Sequence, residues 1–299
     1  MRIHRAEVRA IRRLTPGMIR ITFGGLEGFD GTGVGDEYLR VFLPPSEDRR
    51  HVPLPLATTD SWEWPDGAEQ SPLRTYTVRN DRSDVGEVDI DFVVHDGGIA
   101  ARWALAARPG DVVGLNSPTG MYAPPDDLAW QLLVTDQAGL PAAALLIEDA
   151  PAGVTTRLVA EVPDAEHQLA FDVPPGVEVR WVAGGNGHGP SSLAEVVRTA
   201  LPTLGYDASA RDLPGGYIWV AGETKVLRDV RRHLRHELSL PAIRYKVVGY
   251  WTEDAEAWRD RYEALDQTIK DELMAMWDTD RDEEDIQDDY VARLETLGL

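Results

Sequence analysis

Arg74, Tyr76 and Thr77 share one short run, RTYTVR, at residues 74–79. Its β-branched and aromatic residues favour a strand. Alternation puts Arg74 and Tyr76 on the same face, where a core strand would carry an aliphatic pair, with a hydroxyl on the next residue. A guanidinium fork matches phosphate oxygens and a phenol ring offers a stacking face. The run therefore has two readings: a surface cation–π pair on a strand, or part of a ligand site.

Other stretches carry chemistry of the same kind. His95, Asp96, Gly97, Gly98, Ile99, Ala100, Ala101, Arg102 and Trp103 form a Gly-rich turn running into a helix, whose free N–H groups suit an anion. In YIWVAGETKVLRD an apolar strand ends at Gly222 and a helix starts near Thr224, so Gly222, Glu223 and Thr224 stand where parallel sheets bind nucleotides. Lys225 and Arg228 follow on that helix, as phosphate ligands or as ordinary surface cations. GGNGHGPSS (184–192) reads as a flexible loop, with a phosphate cradle as the alternative, and no GxGxxG is present. Asp136 follows the strand WQLLVTD, where it is either a helix-cap residue or a ligand contact. In the last strand, IRYKVVGYW, alternation puts Arg244 and Lys246 on one face, for an anionic ligand or for local carboxylates.

These residues need a scaffold, and the hydrophobic pattern supplies two. Before residue 126, EVRAIRR, MIRITFGG, YLRVFLPP, RTYTVRND and GEVDIDFVVH are short strands between Gly, Pro and Asp turns, which predicts a small antiparallel barrel or sandwich. The last of these is expected to be half-buried, with Asp89 and Asp91 on its open face. The Pro- and Trp-rich 51–72 stretch is a loop or hairpin insertion. From 126 onward apolar strands alternate with helices, which predicts a parallel sheet covered by helices. PSSLAEVVRTAL should open on a capping box, Ser192 with Glu195. Residues 253–299 read as amphipathic helices with a solvated acidic run, DTDRDEEDIQDD. The expected organisation is thus 1–125, 126–252 and 253–299.

Composition narrows the function. With no cysteine, thiolate catalysis, zinc–thiolate sites and iron–sulfur clusters are excluded, so redox chemistry would need a bound organic cofactor or a non-thiolate metal. The net charge is −21, and residues 252–299, with 17 acidic and 5 basic side chains, hold −12 of it. That balance disfavours nucleic acid and anionic membranes. No secretory leader and no apolar run of spanning length is visible, so a cytoplasmic protein without membrane insertion is expected.

The ordered set RTYTVR, HDGGIAARWA, DQAGLPAAALLIE, YIWVAGETKVLRDVRRHL and GYW, over residues 5–251, resembles the siderophore-interacting protein family, flavin-dependent ferric-siderophore reductases related to ferredoxin–NADP reductases. The resemblance implies a β-barrel plus α/β fold: an antiparallel FAD-binding barrel, a parallel-sheet NAD(P)H-binding domain, and here a helical C-terminal extension. It implies FAD as cofactor and NADPH or NADH as donor, with electrons passing to siderophore-bound iron(III) and iron(II) released. It places Arg74 at the FAD pyrophosphate, Tyr76 on the isoalloxazine and Thr77 near N5, with Gly98, Ile99, Ala100 and Ala101 around the phosphates, and His95 either facing the flavin or serving as a structural histidine at the strand end. Asp136 would lie near the adenine, Gly222, Glu223 and Thr224 near the nicotinamide, and Arg244, Lys246 and Lys225 beside an anionic ferric siderophore. Ile99 stands where the family has proline, Ala101 where it has a hydroxyl residue, and Ala221 where related reductases often have cysteine. Neither a resident metal nor an acid–base dyad is expected, and a monomer is. The rival readings are a general NAD(P)H-dependent flavin or quinone reductase, and a non-catalytic flavin or siderophore carrier.

Overall fold

The computed structural model describes the chain except residues 60, 96, 97, 205, 207–211, 254 and 282. Asp96 and Gly97 of the Gly-rich turn therefore lie outside the described residues. No helix among the described residues is long and apolar enough to cross a membrane.

The first nine strands are β1 (Ile3–Thr15), β2 (Met18–Gly24), β3 (Tyr38–Phe42), β4 (Leu56–Ala57), β5 (Trp62–Glu63), β6 (Leu73–Thr77), β7 (Asn80–Arg82), β8 (Glu87–Val93) and β9 (Val112–Asn116). Seven of them make one antiparallel sheet in the order β6-β3-β9-β1-β2-β8-β7. Its two ends, β6 and β7, are nearly continuous in sequence, and the Arg79 N–H between them donates to the Asp89 carbonyl at 2.8 Å. The sheet so closes on itself, which removes its open edges. β4 and β5 form a small separate hairpin, and Trp62 and Trp64 lay ring edges on Phe42. Helix α1 (Ile99–Leu105) plugs the barrel core through Trp103, which contacts Phe23 and Phe92.

The open face expected for β8 is not open. Asp89 and Asp91 are 5% and 3% exposed, because Arg20 makes a double contact to Asp91 at 2.6 and 2.7 Å and Arg82 holds Asp89 at 2.8 Å. Polar alternation here encodes cross-strand ion pairs rather than a wet face.

Helix α2 (Leu140–Glu148) follows β10 (Trp130–Thr135), and helix α3 (Leu193–Thr203) follows β11 (Thr155–Val162) and β12 (Val177–Ala183). Then come β13 (Gly216–Glu223), α4 (Thr224–Arg232) and β14 (Tyr245–Trp251). The strands pair in parallel, in the order β12-β11-β10-β13-β14. The chain leaves β10 in one direction and returns beside it as β13, which puts a topological switch point between these strands and a crevice at their carboxyl ends. α2 is buried almost all round, as its run of Leu and Ala demands. It packs over Leu133, Leu158 and Trp219, and the same cluster takes in Met18 from the barrel, so the two halves share a core.

Three helices end the chain: α5 (Ala255–Glu263), α6 (Gln267–Ala275) and α7 (Glu283–Thr296). The acidic run expected to be solvated is partly docked. Asp288 of α7 pairs with Arg231 at 3.7 Å and Arg235 at 3.3 Å, Asp285 pairs with Arg235, and Glu295 meets Arg228 at 3.0 Å. The basic face of α4 and the turn after it is thus covered by the chain's own carboxylates. Leu273, Ile286, Val291 and Leu294 are buried beside them.

Candidate functional site

Two edges of the molecule meet where the strand carrying RTYTV faces the carboxyl ends of the parallel strands. On the barrel side, Arg74 of β6 and Ile99 and Arg102 of α1 line a pocket of about 280 Å3, together with Pro72 and with Arg259 and Asp260 of α5. Ile99 and Arg102 share a face of α1, being three residues apart. The Arg74 Nη1 also donates to the Leu73 carbonyl at 2.8 Å. Ala100 and Ala101 are buried and pack inward, so the stretch reaches the pocket through Ile99 and Arg102. Gly98 caps α1 with φ +30°, in the region that disfavours a side chain, and a Cβ there would sit 3.3 Å from the exposed ring of His95.

Tyr76 is half-buried, its ring centroid 4.3 Å from that of Phe92. Burial pushes its phenol pKa up, against the opposing pull of Arg74. Thr77 is 5% exposed and faces the other half of the molecule. There the Gly222–Gly249 register slips to Glu223–Trp251, leaving Tyr250 as the extra residue of a bulge. The Tyr250 hydroxyl is buried, with the Thr77 side chain as its hydrogen-bonding neighbour and Asp36 close by. Burial, then Asp36, raise the Tyr250 phenol. Asp36 itself accepts from the Met121 and Tyr122 N–H groups at 2.8 and 2.6 Å and from the Trp219 indole at 3.0 Å. The Trp219 ring in turn meets Tyr250 edge-on at 6.3 Å. A spine of Asp36, Trp219, Tyr250 and Thr77 therefore fixes the angle between barrel and sheet.

At the switch point the strand ends are knotted around Asp136, which is 2% exposed. Its Oδ2 accepts from the Trp251 indole at 2.6 Å and its Oδ1 from the Ala138 N–H at 2.9 Å, and the Glu223 N–H adds a third donor. Burial dominates and pushes the carboxyl up to about 6 in spite of these donors, with nearby Glu161 adding to the rise. Asp136 caps the turn at Gln137–Gly139, so of its two readings the cap is what the geometry displays. Gly222 is required here by close approach, since a Cβ would stand 2.8 Å from Asp136 Oδ2. Glu223 caps α4 by accepting from the Val226 N–H at 2.8 Å. Thr224 donates to the Trp251 carbonyl at 2.9 Å. Asp136, Gly222, Glu223 and Thr224 thus gather at one edge of the sheet.

The capping box is not formed. Buried Glu161, at the end of β11, accepts from the Ser191 hydroxyl at 2.7 Å and from both the N–H and hydroxyl of Ser192 at 2.6 Å. A buried carboxylate offers Ser192 a stronger partner than a backbone N–H does. The Gly-rich 184–192 loop is organised by the same group of contacts: Asn186 donates to the Glu161 and Gly184 carbonyls and accepts from the Gln137 N–H at 2.9 Å.

Of the cations expected beside an anionic substrate, Lys225 adjoins Thr224 at this edge, while Arg244 and Lys246 stand away from the strand ends. Arg244 is not in β14 but in the turn before it, where it binds Asp127 at 2.7 Å and Asp212 at 3.2 Å. Lys246 pairs in register with Trp219, towards the amino ends of the strands, whereas Gly222 and Gly249 mark the site edge. Three strand steps separate the two levels, on the order of 10 Å. Arg228 is tied to Glu295, and Lys225 is exposed at the start of α4. The residues missed from the sequence are Arg102, legible in its spacing from Ile99, and Asp36, Tyr250 and Arg259, which only the fold brings in.

Comparison with known proteins agrees with this layout. The pattern of the siderophore-interacting FAD-binding domain matches residues 7–122, and that of the siderophore-interacting protein matches residues 128–254. An uncharacterized protein of Mycobacterium tuberculosis is 32% identical over 281 residues, 91% of this chain and 95% of that one. The NADPH-dependent ferric-chelate reductase of Escherichia coli is 30% identical over 84% of this chain and 93% of its own length. Among solved structures, a siderophore utilization protein from T. fusca superposes with a TM-score of 0.71 at 30% identity, over 85% of this chain and 94% of that one. With both domain patterns matched in order over the barrel and the parallel sheet, the chain belongs to the siderophore-interacting protein family.

Proposed function

We propose that the protein is an FAD-dependent reductase of ferric siderophores that takes its electrons from NADPH or NADH. The observation that carries this reading is the arginine-lined pocket whose Arg74 shares β6 with Tyr76 and Thr77, Thr77 in turn meeting Tyr250 near the carboxyl end of β14. The donor set fits FAD: guanidinium groups suit its diphosphate, and Tyr76 and Thr77 stand on the strand that leads from that pocket to the sheet. When bound, FAD converts a two-electron donor into single-electron steps at iron. In this chain Arg74 and Arg102 bind the phosphates, Tyr76 supports the ring system, and the spine through Asp36, Trp219 and Tyr250 holds the sheet edge opposite Thr77. Glu223 and Thr224, fixed by their bonds to α4 and to Trp251, set the floor on the nicotinamide side. Relatives in Escherichia coli and Vibrio cholerae are named as an NADPH-dependent ferric-chelate reductase and a ferric vibriobactin reductase, which supports iron(III) chelates as substrates.

A second reading, a general flavin or quinone reductase, draws support from Arg244. That cation is committed to Asp127 and Asp212 and stands away from the site edge, so selection of an anionic chelate falls to other groups. The test is anaerobic reduction of the FAD-loaded protein by each nucleotide, followed by a panel of ferric siderophores and quinones with an iron(II) trap. Faster turnover of siderophore iron supports the first reading, and faster turnover of quinones the second. Arg74→Ala is expected to weaken FAD on the order of 10- to 100-fold, the worth of one charge-assisted phosphate contact. A mutant that holds flavin as firmly as the parent removes Arg74 from the pocket's chemistry.

A further inference from the structure

The three C-terminal helices lie beyond the matched domain patterns, the second of which ends at residue 254, yet α5 supplies two of the six side chains lining the arginine pocket. We propose that Arg259 is a third phosphate ligand of that pocket, so that binding of a dinucleotide diphosphate and docking of the C-terminal helices are linked. The proposal rests on the FAD reading and adds to it a binding residue and a linkage.

Arg74, Arg102 and Arg259 bring three guanidinium groups from three separate elements to one pocket, beside Asp260. A dinucleotide diphosphate carries two negative charges at neutral pH, one on each phosphate, and guanidinium forks suit its oxygens. The pocket, of about 280 Å3, is lined by guanidinium groups that suit the diphosphate part of a dinucleotide.

The setting of Arg259 points the same way. Residues 252–299 carry a net −12, and the whole chain −21, a field that repels anions. Arg259 is one of only 5 basic residues in that segment, and it stands at the phosphate pocket. The extension is held by other contacts: α7 is clamped to α4 and the turn after it through Glu295–Arg228 at 3.0 Å and Asp288–Arg235 at 3.3 Å, and to α6 through Arg293–Glu272 at 3.0 Å. A ligand that touches α5 only in the docked arrangement must stabilise that arrangement, and the docked arrangement must bind it more tightly.

The test uses the full-length protein and four forms: parent, Arg259→Ala, Asp260→Asn and, as a control on the same helix, Arg261→Ala. FAD and FMN are titrated by flavin fluorescence, and trypsin cleavage within 255–299 is followed with and without FAD. FMN has no diphosphate bridge, so it separates loss of a phosphate ligand from general damage. Arg259→Ala is expected to weaken FAD about tenfold, to leave FMN unchanged, and to abolish FAD protection of the extension. Asp260→Asn is expected to tighten FAD, and Arg261→Ala to match the parent. If Arg259→Ala binds FAD like the parent while Arg74→Ala does not, the linkage fails and the FAD reading stands. If the parent itself binds no FAD, both fail. Equal weakening of FAD and FMN would assign Arg259 a structural role and overturn the proposal.

Discussion

Asp89 in the barrel and Asp136 at the parallel sheet are both buried carboxylates, and their surroundings drive them in opposite directions. For Asp89, burial alone would raise the carboxyl, but hydrogen bonds from Arg82, Thr22 and Asn80 outweigh it and hold the pKa down to about 2. For Asp136, burial wins and the pKa rises to about 6, since its donors, Trp251, Ala138 and Glu223, are all neutral. The difference is the formal charge of the partner. The barrel wall is locked by ion pairs, whereas the strand ends at the ligand edge are gathered by a carboxylate poised near neutrality. Shifted carboxyls of the second kind accumulate at functional edges.

Three experiments break or sharpen this contrast. The largest effect is expected from Arg20→Leu, which strands Asp91, whose side chain is 0% exposed, without its guanidinium. Leaving one member of a buried pair costs about 3–5 kcal/mol. Urea unfolding reads it, and an unchanged midpoint would show that the barrel does not depend on this pair. Next comes the pH dependence of Asp136. Its folded pKa lies above the ordinary 3.8, so the native state keeps a proton that the unfolded state gives up. Stability is then full below pH 4 and falls as pH rises to about 6, by roughly 3 kcal/mol. Subtracting the curve for Asp136→Asn isolates this fall from the other carboxylates, and a flat difference between pH 4 and 6 would contradict the assignment. The smallest effect is Trp251→Phe, about 1 kcal/mol for the lost indole bond. With one fewer donor the Asp136 transition should also move to higher pH, whereas a role in packing alone would leave its pH position unchanged.

Much of this architecture was legible in the chain because its signals are local. Alternation in MIRITFG and EVDIDFV, and the apolar runs WQLLVT and GYIWVAGE, specify strands of the two kinds without help from elsewhere. Gly222 and Thr224 could be placed from one strand-to-helix junction. Signals that depended on competition misled. Ser192 and Glu195 have the spacing of a capping box, but Glu161, 31 positions away, takes the hydroxyl. Arg244 and Lys246 alternate as strand neighbours, but Asp127, 117 positions away, holds Arg244 below the strand. The acidic tail looked solvated because its basic partners on α4 and the turn after it come some 60 residues earlier, as the separations of 52 and 67 in His236–Asp288 and Arg228–Glu295 illustrate.

The sequence by itself determined the two-domain order, the strand and helix types, and the placing of Arg74, Ile99, Gly222 and Glu223 near the ends of their elements. These depend on periodicity, caps and turns, whose range is a few residues. The partners of the cations were set by the tertiary structure. Arg228 and Arg244 met carboxylates far along the chain, and Arg74, Arg102 and Arg259, from three separate elements, converged on one pocket. Charge acts through space at distances the chain reaches only once folded, so a residue's partner is set by topology and not by its neighbours in sequence.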